Sequence, residues 1–366
     1  AIGYKAIEAE ITSSKSISLT LESQAGDAGE VVVLGYTTQK RGKITGAVQV
    51  VKGDQLRQRS IASTSMMLQG LAPGLVVQQG SGQPGADGGA LNLRGINSIT
   101  GGTAPLIIVD GAEGVSLNDV DPNVIESVSV LKDAASTAVY GVRGTNGVIL
   151  IKTKRGQNGK TSISYNSFIS QQNPTNFPEL LGSVDDMLLR NEAVANTGSP
   201  ILPFSTATID LYRNFSADNM SVFNTDWKDL LFRNSRIMQN HNLQVSGGSD
   251  KVSYLISGTY LKQEGLMVNN SFQKFDLRMN GDIQVTKRIK FSSDIFYTKA
   301  INTQPGGMSP VEIIQRSISM ARHFPGKFGD GLYGDAGQSN RINPIGAAEN
   351  SGINRAESPT LSLRFS

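Results

Sequence analysis

Several long segments in the second half of the sequence alternate strictly between apolar and polar residues. In residues 274–285, KFDLRMNGDIQV, one set of alternate positions holds Phe275, Leu277, Met279, Ile283 and Val285, and the other holds Lys274, Asp276, Arg278, Asn280, Asp282 and Gln284. Because successive side chains of a β-strand point to opposite faces, this pattern predicts a strand with one apolar and one polar face. Residues 289–297 alternate similarly, and weaker alternation covers 161–170, 237–246 and 251–262.

Two architectures produce strands of this kind. In a transmembrane β-barrel the apolar residues face lipid and the polar residues face the interior, with about 10 residues in each strand. In an antiparallel sandwich in water the apolar residues face the core instead. The alternation alone does not distinguish the two. No apolar run approaches the roughly 20 residues that a transmembrane helix requires, so a helical membrane protein is not expected.

The first half of the sequence has a different character. Residues 44–156 combine short strands with helix-like segments, and runs such as LIIVDG and GVILIKT are continuously apolar, as expected for buried strands of a compact α/β unit. A polar insertion, residues 172–236, separates the first two long strands. Within it, SVDDMLLRNEAVAN (183–196) predicts a helix capped by Ser183, and TDWKDLLF (225–232) predicts a short helix anchored by its tryptophan.

Composition narrows the functional classes. The apolar fraction is 38% and there are 40 glycines, which favours turns and β-structure over helix bundles. The net charge is +3 without a long basic block, so no nucleic-acid partner is expected. The sequence has no cysteine, which leaves no disulfide and no Cys-based metal site. With two histidines far apart and no Gly-x-Ser-x-Gly motif, we expect neither a metal site nor an enzyme.

The segment GSGQPG (80–85) satisfies the Gly-x-Gly-x-x-Gly pattern of dinucleotide-binding loops and follows the strand-like LVVQQ. Such a loop must lead into a helix whose N-terminus faces the pyrophosphate. Here ADGGALNLRG follows, which predicts a turn and then a strand. We therefore interpret the segment as a glycine-rich turn and expect no cofactor.

The segment DVDPN (119–123) has the oxygen spacing that opens a calcium-binding loop. Val124 occupies the position of the required glycine, and Val130 occupies that of the closing glutamate. A helix-capping turn is therefore the better interpretation.

Two charged residues, Arg94 in LNLRG and Lys132 in VLKDAAS, lie directly beside apolar strands. Either both are solvated at strand ends, or they pair with carboxylates elsewhere in the fold, because a buried charge must be compensated. The residues alone leave both interpretations open.

The segment EVVVLGY (30–36) has the composition of a strand, but polar, linker-like stretches flank it on both sides. It is either an ordinary strand of the following domain or an extended peptide that adds itself to the sheet edge of another protein. Both alternatives stay open at this level.

Several motifs in a fixed order resemble one family. EVVVLGYTTQKR (30–41), PLIIVDG (105–111), SVSVLKDAASTAVYGVRGTNGVILIKTKRG (127–156) and the strands of 225–283 are similar to the SusC/RagA class of TonB-dependent outer-membrane transporters. The resemblance implies an α+β plug domain followed by an antiparallel transmembrane β-barrel of about 22 strands, of which this chain holds the first few. It also implies four parts: the end of an N-terminal β-sandwich extension (1–24), a linker with the TonB box (25–43), the plug (44–156), and barrel strands with their loops (157–366).

The resemblance further implies sites and partners. The TonB box, which would pair with the TonB C-terminal domain, corresponds to Glu30, Val31, Val32, Val33, Leu34, Gly35 and Tyr36. Arg94 and Lys132 correspond to a plug–barrel lock, with Lys132 at a position where many other TonB-dependent receptors carry arginine. The implied function is import of oligosaccharides or oligopeptides across the outer membrane, in contact with outer-membrane lipid and with a SusD-like surface lipoprotein. The alternatives are an outer-membrane signalling receptor and a structural subunit of a larger envelope complex.

Overall fold

The computed structural model describes residues 31–34, 37–40, 48–95, 102–214, 222–335 and 342–365. The predicted extension, residues 1–24, and the TonB-box residues Glu30, Gly35 and Tyr36 lie outside the described residues. The chain divides into two compact units. The first unit comprises Ala1–Gly80 and Gly88–Arg155, and the second comprises Ser81–Asp87 and Gly156–Ser366.

The described residues of the first unit form three separate sheets. A two-stranded sheet is formed by β1 (Val31–Leu34) and β2 (Thr37–Lys40). A second pair is antiparallel and consists of β4 (Leu75–Gln79) and β5 (Gly89–Leu93). The largest sheet has the strand order β3–β8–β9–β6–β7, and its members are β3 (Val48–Lys52), β6 (Leu106–Val109), β7 (Ala112–Glu113), β8 (Ile125–Leu131) and β9 (Val148–Thr153).

Neighbouring strands of the largest sheet are antiparallel except β6 and β9, which run parallel. Both faces of β9 are covered, because Ile149 and Ile151 belong to one buried cluster while Val148 and Leu150 belong to another. Strands buried on both faces are apolar at every position rather than at every second one. This explains the continuous run in GVILIKT.

In the described ranges this unit also has three short helices, α1 (Gly53–Arg57), α2 (Thr64–Met67) and α3 (Ala134–Thr137), and three 3₁₀ segments, Leu117–Asp119, Pro122–Val124 and Ala138–Gly144. The buried carboxylate of Asp121 accepts a hydrogen bond from the backbone N–H of Asn123 at 2.8 Å and caps the second turn. The helix-capping interpretation of DVDPN is thereby confirmed.

The second unit is built on six antiparallel strands in chain order: β10 (Gly159–Gln172), β11 (Arg236–Gly248), β12 (Val252–Glu264), β13 (Ser271–Gln284), β14 (Lys290–Pro305) and β15 (Ile353–Phe365). At one end of this sheet the connections are the short segments 249–251 and 285–289. At the other end they are 173–235, 265–270 and 306–352, and this end is called the loop side below.

The registers place apolar and polar residues in alternate rows across the sheet. One row is Tyr165, Leu243, Gly258, Leu277, Tyr297 and Leu361, and the adjacent row is Asn166, Asn242, Thr259, Asp276, Thr298 and Thr360.

The apolar rows are the exposed ones. Phe275 and Leu277 are 41% and 36% exposed, whereas Lys274 and Arg278 are each 6% exposed. A sandwich in water would bury the apolar rows instead, so the observed faces are those of a membrane barrel wall.

The described parts of the two long loop-side connections contain five helices: α4 (Ser183–Ala195), α5 (Thr206–Arg213), α6 (Trp227–Leu231), α7 (Pro310–Ser319) and α8 (Pro344–Asn350). Trp227 is buried and its indole N–H donates to the carbonyl of Ala321 at 3.2 Å, which confirms the predicted anchor. The helix predicted at 183–196 is present, but the predicted cap is wrong.

Gly182 is the capping residue of α4, and the Ser183 hydroxyl donates instead to the carbonyl of Phe223 at 3.0 Å. Ser183 is the first residue of the helix itself, so its hydroxyl is free to bond with residues 223 and 224, which are distant in sequence. No helix in the described ranges is long and apolar enough to cross a membrane.

Candidate functional site

The valine-rich segment forms one strand of an antiparallel pair. The register of β1 and β2 runs from Val31 opposite Lys40 to Leu34 opposite Thr37, with two residues connecting the strands. Within the described part of the chain, the other edge of β1 has no strand partner. An unpaired edge presents backbone N–H and C=O groups that can accept a further strand. The pairing with Thr37–Lys40 was not anticipated from the sequence, where those residues were assigned to a linker.

Arg94 and Lys132, which are far apart in sequence, line one cavity of about 460 Å³ in the first unit. Arg94 follows β5 and has a φ of 58°, in the left-handed region, and its backbone N–H donates to the carbonyl of Gly74 at 3.1 Å. The Lys132 ammonium donates to the neighbouring carbonyl of Pro73. Both residues are therefore held against the same turn.

Burial lowers the pKa of the Lys132 ammonium, and the positive charge of Arg94 lowers it further. Across the described ranges, neither side chain forms an ion pair with a carboxylate. Two cations side by side repel each other, so this arrangement favours binding of an anionic group beside the cavity.

The polar face of the second unit carries a buried hydrogen-bond network, of which the sequence revealed only the residue types. The Lys274 ammonium lies 3.2 Å from a carboxylate oxygen of Asp276, and both side chains are more than nine-tenths buried. The amide of Asn242 donates to the hydroxyls of Ser257 and Thr259 at 2.9 and 2.8 Å. Burying polar groups is tolerated when neighbouring strands satisfy them in this way.

The glycine-rich segment 80–85 contributes to the second unit, although the strands on both sides of it, β4 and β5, belong to the first. Gly85 has a φ of +73°, and a Cβ atom at this position would lie 2.4 Å from the ring of Phe272. Only glycine combines this backbone conformation with so close a ring. The segment is a turn that packs on β13, in agreement with the sequence interpretation.

Asp87, at the end of this segment, accepts a hydrogen bond from the Gln263 side-chain amide at 3.3 Å. Burial raises the pKa of the Asp87 carboxyl, and the hydrogen bond from Gln263 only partly offsets this. The C-terminal part of loop 81–87 is thus attached to the sheet by an apolar contact at Gly85 and a polar contact at Asp87.

A pocket of about 480 Å³ opens on the loop side of the second unit. Its walls include loop residues 81–84, the rings of Phe177 and Phe232, and three aliphatic side chains of α7, Val311, Ile314 and Ile318. In the described ranges, no group of three or more His, Cys, Asp or Glu residues is arranged to hold a metal ion.

Comparison with known proteins identifies the architecture. The family model of the TonB-dependent Receptor Plug Domain matches residues 40–148. TonB-dependent receptor P26 of Formosa agariphila is 34% identical over 303 residues, which are 81% of this chain and 29% of that protein. TonB-dependent receptor SusC of Bacteroides thetaiotaomicron is 30% identical over 289 residues, covering 76% of this chain and 27% of SusC. The chain belongs to the SusC-like TonB-dependent receptors.

Solved structures agree with this assignment. A structure of the RagAB peptide transporter matches with a TM-score of 0.60 at 26% identity, over 71% of this receptor chain and 31% of that chain. The RagAB peptide importer in its open-open state shares the fold, with a TM-score of 0.69 and 24% identity over 87% of this receptor chain and 38% of that chain. The family resemblance and the predicted fold class, a plug domain with antiparallel barrel strands, are confirmed. The receptor chain spans less than a third of the length of the two curated relatives.

Proposed function

We propose that the complete receptor is an outer-membrane importer powered by TonB, which takes up oligosaccharides or oligopeptides together with a SusD-like surface lipoprotein. The observation that carries this proposal is a plug domain in the same chain as six strands whose apolar faces are exposed and whose polar faces are buried. Such strands suit a wall between lipid and a polar interior. The names of the relatives, SusC and the RagAB peptide importer, support the choice of substrate classes.

In this proposal, TonB engages the receptor through β1. The C-terminal domain of TonB adds a strand to the open edge of Val31–Leu34, which lies within the predicted TonB box of residues 30–36. Main-chain hydrogen bonds provide most of the affinity in this binding mode. Several bonds along one strand then share a pulling force, which draws on the plug and opens the barrel.

Replacing Val32 by proline tests this role, because proline lacks the N–H that a strand pair requires. We expect Val32→Pro to abolish uptake while leaving the amount of receptor in the outer membrane unchanged. Val32→Thr is the matched control, since it keeps the N–H and a β-branched side chain. Uptake is measured with the full receptor and its lipoprotein in cells whose TonB is intact. Normal uptake by the proline variant would contradict the proposal, and continued signalling without uptake would favour a signalling receptor.

We also propose that Arg94 and Lys132 hold the plug in the barrel by pairing with barrel carboxylates. Their shared cavity and the lowered pKa of Lys132 support this role, because a carboxylate at this place would neutralise two adjacent cations. Arg94 can bind a carboxylate through two parallel N–H groups, whereas Lys132 acts as a point charge.

A further inference from the structure

A glycine interrupts one of the exposed apolar rows of the strand sheet. Gly258 lies on β12, with Leu243 opposite it on β11 and Leu277 opposite it on β13. It has no side chain to fill its place in the row, and a Cβ atom at this position would meet no other atom within 4 Å. The exposed face of the second unit therefore has a hollow here, which is called the Gly258 notch below.

The Gly258 notch has a volume of about 430 Å³ and aromatic walls. The rings of Tyr260 and Phe275 form its wall toward the loop side, with centroids 4.9 Å apart. In another part of the wall, the Tyr165 hydroxyl and Nδ1 of His241 form a hydrogen bond of 2.6 Å. Because these two polar groups satisfy each other, they do not require a polar ligand. The notch therefore favours hydrocarbon.

Such a notch has a physical consequence where lipid surrounds the face. A void beside packed side chains forfeits dispersion contacts, and water does not fill a void that is apolar. Small residues on a lipid-facing surface instead allow a neighbour to approach closely, which increases van der Waals contact. An acyl chain in the Gly258 notch touches rings and backbone on several sides, whereas a chain against the flat part of the face touches one. The notch should therefore retain an acyl chain better than the flat part does.

A net positive charge lies on the loop side of the notch. The ammonium of Lys299, which is opposite Phe275 in the sheet, lies 2.8 Å from one carboxylate oxygen of Glu357. The guanidinium of Arg355 lies 3.0 Å from the other oxygen of the same carboxylate. Two cations thus share one anion, and the group carries an excess of positive charge. An anionic phosphate would neutralise it through charge-assisted hydrogen bonds.

One lipid molecule can reach both the charged group and the notch. Lys299 is two strands from Gly258 and one row nearer the loop side. With strands about 4.8 Å apart and about 3.3 Å for each residue, the two Cα atoms are about 12 Å apart. This is less than half of the roughly 30 Å thickness of the hydrocarbon core, so an acyl chain below a phosphate at Lys299 passes Gly258. In an outer-membrane barrel the longer loops are extracellular, so the loop side corresponds to the outer leaflet.

We propose that the Gly258 notch binds an acyl chain of a phosphate-bearing lipid of the outer leaflet, whose phosphate lies beside Lys299 and Arg355. The inference rests on the proposed outer-membrane function, because it requires lipid around the exposed face. It places a lipid site on the outer wall of the barrel, on the face opposite to the polar interior.

The experiment labels the complete receptor with a photoreactive lipid. The receptor is folded into vesicles of dilauroylphosphatidylcholine that contain a small fraction of phosphatidylglycerol with a diazirine in the middle of one acyl chain. After irradiation, proteolysis and mass spectrometry locate the labelled residues. We expect segments 258–260 and 275–277, which line the notch, to carry at least about fivefold more label than segment 361–363, which lies at a similar level on β15.

A glycine variant and a matched control test the notch itself. Gly258→Leu fills the notch without a clash, because the space around Gly258 is open. It should lower the label at 275–277 at least about fivefold. Gly281→Leu is the control, because Gly281 also has open space, lies two rows away on the same face and does not line the notch. Its label should be unchanged, and the heat-dependent gel mobility of both variants confirms that they fold.

A second pair of variants tests the phosphate. In the original receptor, the phosphatidylglycerol probe should label the notch more strongly than a phosphatidylcholine probe with the same acyl chain. Lys299→Gln removes the excess positive charge and should reduce labelling by the first probe to the level of the second. Lys251→Gln is the control, because Lys251 lies in the short connection 249–251 at the other end of the sheet.

The outcomes separate this proposal from the function on which it rests. Label spread evenly over the exposed face, or equal labelling of the Gly258→Leu variant and the original receptor, would overturn the notch and leave the import function standing. An unlabelled notch together with loss of a receptor dimer in the Gly258→Leu variant would assign the notch to a second copy of the chain instead. Equal labelling by the two probes would overturn the phosphate contact. An exposed face without any label would count against its contact with lipid, and with it against the proposed function.

Discussion

Leu277 offers a direct test of the membrane environment of the second unit. It lies in the middle of β13 with Gly258 on one neighbouring strand and Tyr297 on the other, and it is 36% exposed. The perturbation is Leu277→Arg, which places a guanidinium at the centre of the exposed apolar face. The loss of folding free energy that Leu277→Arg causes depends on whether lipid or water surrounds that face.

Lipid and water predict clearly different losses of stability for the Leu277→Arg variant. In a barrel wall, arginine at the bilayer midplane is destabilising by about 2–4 kcal/mol. That range corresponds to a decrease of roughly 30-fold to several hundred-fold in the folding equilibrium constant, at about 1.4 kcal/mol for each factor of ten. At an exposed position in water, the same change would remain within about 0.5 kcal/mol of the original stability.

The assay follows folding of the complete receptor into phospholipid vesicles over a series of urea concentrations. The folded fraction is read from the heat-dependent mobility of the barrel on a gel. Ile201→Arg is the control, because this residue is 79% exposed in the 173–235 connection rather than on the sheet. A Leu277→Arg variant as stable as the control would refute the assignment of the apolar face to lipid.

Three further predictions concern the plug and its loop. Gly85→Ala should destabilise loop 81–87 by about 2–3 kcal/mol, because the backbone is left-handed there and the added Cβ would overlap the ring of Phe272. Amide hydrogen exchange of the loop should be faster in this variant. Gly82→Ala is the control and should not change the exchange, because the space around Gly82 is open. Because burial raises the pKa of Asp87, the free energy of unfolding should fall as pH rises from its ordinary value of 3.8 through the raised pKa. The Asp87→Asn variant should lose this pH-dependent part of the free energy of unfolding, as measured from urea unfolding curves. The same pH profile in the variant and the original receptor would show that Asp87 does not contribute it. The double substitution Arg94→Ala, Lys132→Ala should loosen the plug and sensitise cells to a large glycopeptide antibiotic; unaltered sensitivity would contradict the lock.

The faces of the long strands could be predicted from the sequence, but their environment could not. Alternation at 274–285 determines which side chains share a face, because the strand repeat of two residues is a local property. Whether the apolar face lies inside or outside depends on what the sheet packs against. The exposure of Phe275 and the burial of Lys274 supply that information.

The sites were less predictable than the strands, because they depend on contacts between distant residues. The sequence singled out Arg94 and Lys132 separately, and only the fold brings them to one cavity. Segment 80–85 was interpreted as a turn, but its contact with Phe272 has no local signal.

The membership of loop 81–87 in the second unit has a mechanical consequence. A force applied at β1 passes along β3, α1, α2 and β4 before it reaches this loop, which Gly85 and Asp87 fasten to the strand sheet. The backbone from residue 41 to residue 80 would span roughly 130–140 Å when fully extended. If TonB pulls on β1 as proposed, a segment of that length could be extended while loop 81–87 stays attached to the strand sheet, so unfolding of residues 41–80 would not require this loop to move.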